Sequence, residues 1–188
     1  MKTAKLTLLA VVCIAPVILV AAVGKKEKKT TPDAVARGKY LVNFGGCNDC
    51  HTPLKMTGKG PVPDLSRLLC GHPEDTKLPP PDLKPGPWFA ATAGMTAWAG
   101  PWGISYAPNL TPDKNTGLGI WTEEMFIKTM RTGRHMGSGR EILPPMPWQS
   151  VASLTDGDIK AIFAYLQTVP AITNHVPRPV NPKGETFE

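Results

Sequence analysis

The sequence lacks three patterns, and each absence removes one class of protein from consideration. It has no stripe of arginine and lysine interleaved with aromatic residues, so nucleic-acid binding is not indicated. It shows no internal repeat, so a repeat architecture is not indicated either. No segment alternates between apolar and polar residues clearly enough to predict a strand. We therefore expect a single all-α domain within the 188 residues, without a nucleic-acid partner.

The first thirty residues predict export from the cytoplasm. Lys2 and Lys5 precede an apolar run over residues 6–24, and four lysines follow it. This run is longer than the apolar core of most signal peptides and just reaches the length that spans a bilayer. Residues 1–24 are thus a cleaved signal peptide or a retained membrane anchor, and residues 25–32 a basic linker. Both alternatives place the rest of the chain in the periplasm, with a net charge of about +4.

Three segments carry helix signals, at residues 33–44, 121–131 and 155–168. The first follows Pro32, and the second has Thr122 as a candidate cap with two glutamates after it. The third starts with Thr155-x-x-Asp158, which resembles a capping box. The apolar residues recur at helical spacing: Val35, Tyr40, Leu41 and Phe44; Met125, Phe126, Thr129 and Met130; Ile159, Ile162, Phe163 and Leu166.

Residues 54–106 interrupt this helical pattern. They are rich in proline and glycine, which excludes a long regular element, and they contain three tryptophans, which argues against simple disorder. We interpret them as an ordered, irregular insertion wrapped on a domain that spans residues 33–170. Residues 171–188 are interpreted as a solvated C-terminal tail.

Cysteine and histidine are scarce, with four of each, yet Cys47, Cys50 and His51 occur within five residues. Chance would produce C-x-x-C-H in roughly two such chains per thousand. A dithiol redox centre does not need the histidine, and a disulfide between the two cysteines would leave it unexplained. A zinc site is an alternative, with Cys70 and His72 as further ligands. The pattern most directly signals covalent attachment of a c-type haem.

The spacing suits haem, because thiols at positions i and i+3 lie on one side of a helical turn and reach the two porphyrin vinyl groups. His51 then follows as the iron ligand. The motif occurs once, so we expect one haem c. Cys70 belongs to no second motif and is expected to be a free thiol or a buried small side chain.

Met146 is the candidate for the sixth iron ligand. Pro144, Pro145 and Pro147 flank it, stiffen its backbone and deny the segment a helix. Met125 and Met130 are expected in the core, whereas Met95 and Met136 lack a comparable constraint. The rival ligands are His135 first, then His72 and His175.

The order of these motifs resembles that of single-domain class I c-type cytochromes. The shared features are an N-terminal helix, C-x-x-C-H, Pro108-Asn109-Leu110, a Trp-led helix, a methionine loop and a last helix containing "AYL". The resemblance is strongest to the cytochrome c domains in the haem subunit of membrane-bound alcohol and gluconate dehydrogenases, through "APNLTPDKNTGLGIWT", "LPPMPW" and "LTDGDIKAIFAYL". It implies a cytochrome c fold with three to four helices around the haem.

The resemblance also implies roles for three residues. The Pro108 carbonyl would accept a hydrogen bond from His51, the Trp121 indole would reach a haem propionate, and Gly38 would let the first helix cross the last near Tyr165. A turn proline, a core tryptophan and an ordinary helix glycine are the alternatives. Those dehydrogenase subunits carry three haem motifs and this chain one, so membership of such a complex does not follow.

The expected function is electron transfer without substrate chemistry, with His51 and Met146 on the iron. The expected partners are redox proteins, such as a dehydrogenase, an oxidase or another cytochrome, and the membrane if the anchor is retained. The alternative is a haem sensor or peroxidase-like enzyme with a displaceable distal ligand, for which Arg134, His135 and Arg140 are the nearby polar cluster.

Overall fold

The computed structural model describes residues 31–82 and 86–187. The predicted signal peptide or anchor, residues 1–24, lies outside the described residues, as does nearly all of the basic linker. Within the described ranges, no helix is both long and apolar enough to cross a membrane.

The described residues form five α-helices and five short strands. The helices are α1 Pro32–Phe44, α2 Cys47–His51, α3 Glu123–Thr132, α4 Trp148–Ala152 and α5 Asp156–Leu166. The strands are β1 Leu54–Thr57, β2 Gly60–Pro63, β3 Ala90–Ala91, β4 Ala97–Gly100 and β5 Gly103–Tyr106. Strands β1 and β2 pair in one antiparallel sheet, and the other sheet has the order β3-β4-β5 with antiparallel neighbours.

The prediction of an all-α fold is therefore wrong, as is the count of three to four helices. All five strands of the described ranges lie in residues 54–106, which were expected to be irregular. The strands have at most four residues, so they are too short to show an alternating pattern. Residues 97–99 of β4 are all buried, which removes alternation altogether.

The three helices expected from the sequence are confirmed, with ends within two residues of the prediction. Threonine caps each of them: the hydroxyls of Thr31, Thr122 and Thr155 accept backbone N–H groups three residues ahead at 3.3, 3.1 and 3.1 Å. Gly133 ends α3 in the left-handed conformation, as expected. Helix α4, which directly follows the methionine segment, was not predicted, because five residues carry no periodicity.

Helices α1 and α5 cross closely at Gly38, which confirms the expected approach. A Cβ atom at Gly38 would overlap the Ala161 carbonyl oxygen and lie 2.8 Å from the Cβ atom of Tyr165. Arg37 beside it donates to Asp158 at 2.9 Å. The core lies on the inner side of this crossing, where α3 also packs. Its buried apolar residues include Leu41, Val42, Phe126, Met130, Ile159, Ile162, Phe163 and Leu166.

The C-terminal tail packs against the insertion instead of extending into solvent. Val180 exchanges two backbone hydrogen bonds with Ile104 of β5, at 2.7 and 2.9 Å. The buried Asn174 side chain donates to the carbonyls of Cys70 and His72 at 2.7 and 2.9 Å. The expectation of a solvated tail is wrong at these positions, because their partners are about 75 to 105 residues away and no local pattern reveals them.

Asp64 directly follows the β1–β2 hairpin and makes the stability of the protein depend on pH. Hydrogen bonds from the Ser66 hydroxyl and the Arg67 guanidinium lower the pKa of Asp64 to about 2. A lowered pKa means that the stabilisation is complete above the unfolded value, about 4, and is lost as the pH falls towards 2. We expect Asp64→Asn to be less stable than the wild type at pH 7, with the gap closing between about pH 4 and pH 2. Urea unfolding across this range tests this, and a constant gap would contradict it.

Candidate haem-binding site

Helix α2 presents both cysteines of the motif on a single turn. Gly46, with a φ of +65°, lets the chain turn sharply from α1 into α2. Cys47 and Cys50 are three residues apart on this helix, and both thiols are half-buried. Burial raises the pKa of both thiols, and the Asp49 carboxylate adds to the rise. Because residues three apart on a helix lie on the same face, the two sulfur atoms lie on one face of this turn.

His51 ends the same helix and is buried. Its Nδ1 lies 2.8 Å from the carbonyl oxygen of Pro108. Since a carbonyl only accepts, Nδ1 carries the proton and Nε2 keeps its lone pair. Burial lowers the pKa of His51, partly opposed by this hydrogen bond, so the ring is held neutral. A neutral imidazole with an available Nε2 is the form that ligates a metal. The hydrogen bond is the contact that the resemblance implied.

A short segment, residues 69–72, holds the Pro108 region against α2. Gly71 N–H donates to the His51 carbonyl at 2.8 Å, and His72 N–H donates to the Ala107 carbonyl at 2.9 Å. Gly71 has a φ of +81°, and a Cβ atom there would lie 2.6 Å from the carbonyl carbon of Pro108. The role of Gly71 could not be predicted from the sequence, because neither its positive φ nor its contact with Pro108 leaves a local signal.

Met146 lies half-buried in a loop that leads into α4. The carbonyl of Met146 accepts the Trp148 N–H at 2.9 Å, and the Trp148 ring covers Gly133, where a Cβ atom would lie 2.5 Å from the ring atom Cζ2. Pro144 accepts a hydrogen bond from Ser105 of β5 at 2.6 Å. The loop is therefore held at both ends, while iron ligation by Met146 stays a prediction.

Trp121 packs half-buried against the core and meets His135 edge-on, with ring centroids 5.2 Å apart. His135 and Arg140 line a cleft of about 650 Å³ together with Pro108 and residues of the tail. Burial and the nearby Arg140 lower the pKa of His135. The contact of Trp121 with a propionate stays a prediction.

A sequence model of the family described as cytochrome c matches residues 35–170. The chain belongs to the cytochrome c family. It is thus an electron-carrying c-type cytochrome. The family match supports a cytochrome c fold, and in this chain two small sheets lie between α2 and α3.

Three curated relatives of this cytochrome are named as cytochrome subunits of dehydrogenases. The fructose dehydrogenase cytochrome subunit of Gluconobacter japonicus is 28% identical over 81% of this chain and 26% of the relative. The gluconate 2-dehydrogenase cytochrome c subunit of Pantoea cypripedii is 32% identical over 70% of this chain and 22% of the relative. The cytochrome c subunit of the quinone-dependent alcohol dehydrogenase of Gluconobacter oxydans is 29% identical over 70% and 20%. The cytochrome spans about a quarter or less of the length of these proteins.

The residues of this site fit a covalently bound haem. Two thiols on one helical turn match the two vinyl groups, and the Pro108 hydrogen bond leaves Nε2 of His51 available to iron. Among residues 31–82 and 86–187, no cluster of three or more histidine, cysteine, aspartate and glutamate side chains could hold a metal ion. The zinc alternative therefore lacks its ligand set in this part of the chain.

The other residues considered in the sequence as ligands or as a distal cluster are Cys70, His72, His175 and Arg134. Cys70 is a free cysteine and is buried, so both descriptions expected for it apply. His72 is also buried, and its ring nitrogens lie 2.9 Å from the Thr96 hydroxyl and 3.4 Å from the Thr76 carbonyl. His175 is exposed on the tail. Of the cluster proposed for a peroxidase-like site, Arg134 is paired with Glu141 at 3.0 Å.

Proposed function

We propose that this cytochrome carries single electrons in the periplasm through one haem c, attached at Cys47 and Cys50 and ligated by His51 and Met146. The observation that carries the proposal is the 2.8 Å hydrogen bond between His51 Nδ1 and the Pro108 carbonyl. It fixes the tautomer that a permanent axial ligand requires and strengthens the imidazole as a donor. No substrate chemistry of its own is proposed.

The protein side chains would hold the cofactor and set its potential. When bound, haem supplies a one-electron couple between ferric and ferrous iron. The two cysteines would keep the group attached, while His51 and Met146 would exclude small molecules from the iron. A thioether ligand in an apolar surrounding favours the ferrous form, so the reduction potential should be raised relative to a bis-histidine site.

The proposed donors are dehydrogenases or other cytochromes, and the proposed acceptors are oxidases or further cytochromes. The support is that relatives of this chain are named as cytochrome subunits of fructose and gluconate dehydrogenases. Electrons would pass through an exposed haem edge in a small, transient interface. Retention of residues 1–24 as an anchor would restrict these encounters to the membrane surface.

Met146→Ala tests the ligand assignment. We expect haem to stay attached through Cys47 and Cys50, because the thioether bonds do not involve the methionine. The ferrous protein should change from resisting carbon monoxide to binding it in full, since the sixth position opens. Absorption spectra before and after adding the gas measure this. The control is Met56→Ala, which removes an exposed methionine from β1 and should behave as the wild type.

Two outcomes would contradict the proposal. An unchanged six-coordinate spectrum in Met146→Ala would move the sixth ligand to another residue, with His135 as the next candidate. Immediate binding of carbon monoxide by the wild type would instead favour the sensor or peroxidase-like alternative.

A further inference from the structure

We propose that the β4–β5 hairpin, residues 97–106, positions the segments of His51 and Met146, the two residues that would ligate the iron. We call residues 97–106 the brace hairpin. Its Ser105 holds the loop of Met146, and the chain leaving it provides the carbonyl that orients His51. The inference rests on the proposed function, because it takes Met146 as the sixth ligand. It assigns a role to part of the insertion, residues 54–106.

Ser105 makes the contact with the methionine loop. Its side chain is buried, and its hydroxyl donates to the Pro144 carbonyl oxygen at 2.6 Å. The same hydroxyl accepts a hydrogen bond from Trp102 Nε1 at 3.2 Å. Donating and accepting at once, the hydroxyl has a defined orientation. Pro144 stands two residues before Met146, so this contact fixes the start of the ligand loop.

The methionine loop depends on such external contacts because of its composition. Pro144, Pro145 and Pro147 have no backbone N–H, so they donate no hydrogen bond that would close the loop on itself. The loop therefore takes its position from groups that donate to its carbonyls. Ser105 does so from a distant part of the chain, before the methionine, whereas the Trp148 N–H, two residues after Met146, is a local donor at 2.9 Å.

Trp102 is itself held in place within the brace hairpin. Its ring lies over Gly100, where a Cβ atom would be 2.6 Å from the ring atom Cη2. The Phe89 ring packs against the indole at an angle, with centroids 6.1 Å apart. A glycine at position 100 is thus required for the indole to reach Ser105. The indole N–H, the Ser105 hydroxyl and the Pro144 carbonyl form one chain of hydrogen-bonded groups.

The brace hairpin also leads directly to the support of His51. Ala107 N–H donates to the Thr96 carbonyl at 2.9 Å, which extends the pairing of the hairpin by one step. Pro108 follows, and its carbonyl accepts the hydrogen bond from His51. Ser105 and Pro108 are three residues apart in the chain. A shift of this segment would disturb both ligands together.

The C-terminal tail anchors the brace hairpin as well. Ile104 of β5 pairs with Val180 of the tail through two backbone hydrogen bonds of 2.7 and 2.9 Å. A Cβ atom at Gly103 would lie 2.7 Å from the carbonyl carbon of Asn181. The tail therefore holds the strand that carries Ser105, which makes the hairpin a fixed support.

Ser105→Ala in the haem-loaded protein tests the inference. We expect full haem attachment and a weaker near-infrared band of the ferric iron–thioether bond. Carbon monoxide should bind to the ferrous form roughly tenfold faster, because the loss of one buried hydrogen bond is worth about that factor. Trp102→Phe keeps an aromatic ring but loses the Nε1 donor, and should show the same changes to a smaller extent. Ser105→Thr keeps the hydroxyl and should restore the band.

The matched control is Ser150→Ala, which removes an exposed hydroxyl in α4 close to the same loop. It should match the wild type in both measurements. A wild-type band and rate in Ser105→Ala, with the band lost in Met146→Ala, would overturn the brace and leave the proposed function intact. A wild type without the band would overturn the proposed function first. If Ser105→Ala yields no haem-loaded protein, Trp102→Phe decides, and a wild-type rate there overturns the brace.

Discussion

Gly38→Ala is expected to lower the stability of the cytochrome by about 3 kcal/mol, at the upper end of the usual cost of overpacking. The reason is that the added methyl group would overlap the carbonyl of Ala161, which belongs to the backbone of α5 and has no rotamer by which to yield. The crossing of α1 and α5 would have to open. For a chain of this length the midpoint of thermal unfolding should fall by about 10 °C.

Thermal unfolding followed by circular dichroism measures this effect. The matched control is Gly157→Ala in α5, where the nearest atom to a new Cβ, the Thr155 hydroxyl oxygen, lies at an ordinary 3.7 Å. That change should raise stability by up to about 1 kcal/mol, because alanine favours a helix over glycine. Equal midpoints for Gly38→Ala and the wild type would show that the two helices are not locked at this crossing.

Gly71→Ala should disturb His51, the proposed iron ligand, by displacing the Pro108 carbonyl that holds its ring. The new Cβ atom would meet the Pro108 carbonyl carbon at 2.6 Å, and the φ of +81° would strain any residue with a side chain. Displacing the Pro108 carbonyl weakens its hydrogen bond with His51, which makes the imidazole a poorer donor to ferric iron. We expect a loss of about 2–3 kcal/mol in stability and a higher reduction potential.

Redox titration and urea unfolding of the same samples separate these two effects. Gly60→Ala is the control, because Gly60 also has a positive φ, of +107°, but no atom lies within 4 Å of its Cβ position. It should lose about 1–2 kcal/mol from backbone strain while keeping the wild-type potential. If Gly71→Ala kept that potential too, the Pro108 hydrogen bond would not tune the iron.

Part of the fold could be predicted because its causes are local in sequence. Threonine caps, first-turn acidic residues and a terminal glycine act within four residues, and they placed α1, α3 and α5. Helix α4 and the five strands could not be placed in this way. Each has five residues or fewer, which is too short for a helical or alternating pattern to show in the sequence.

The candidate site also has one part that the local sequence predicts and another that it does not. The sequence by itself determined the C-x-x-C-H motif, because the attachment chemistry needs two thiols and an imidazole at a local spacing. The resemblance implied the support from Pro108, but only the tertiary structure decided that these distant groups meet. The Pro108 carbonyl meets His51 across 57 residues, and Ser105 meets Pro144 across 39. Nothing in the local sequence encodes such contacts, because they join segments that are distant in the chain and meet only when it folds.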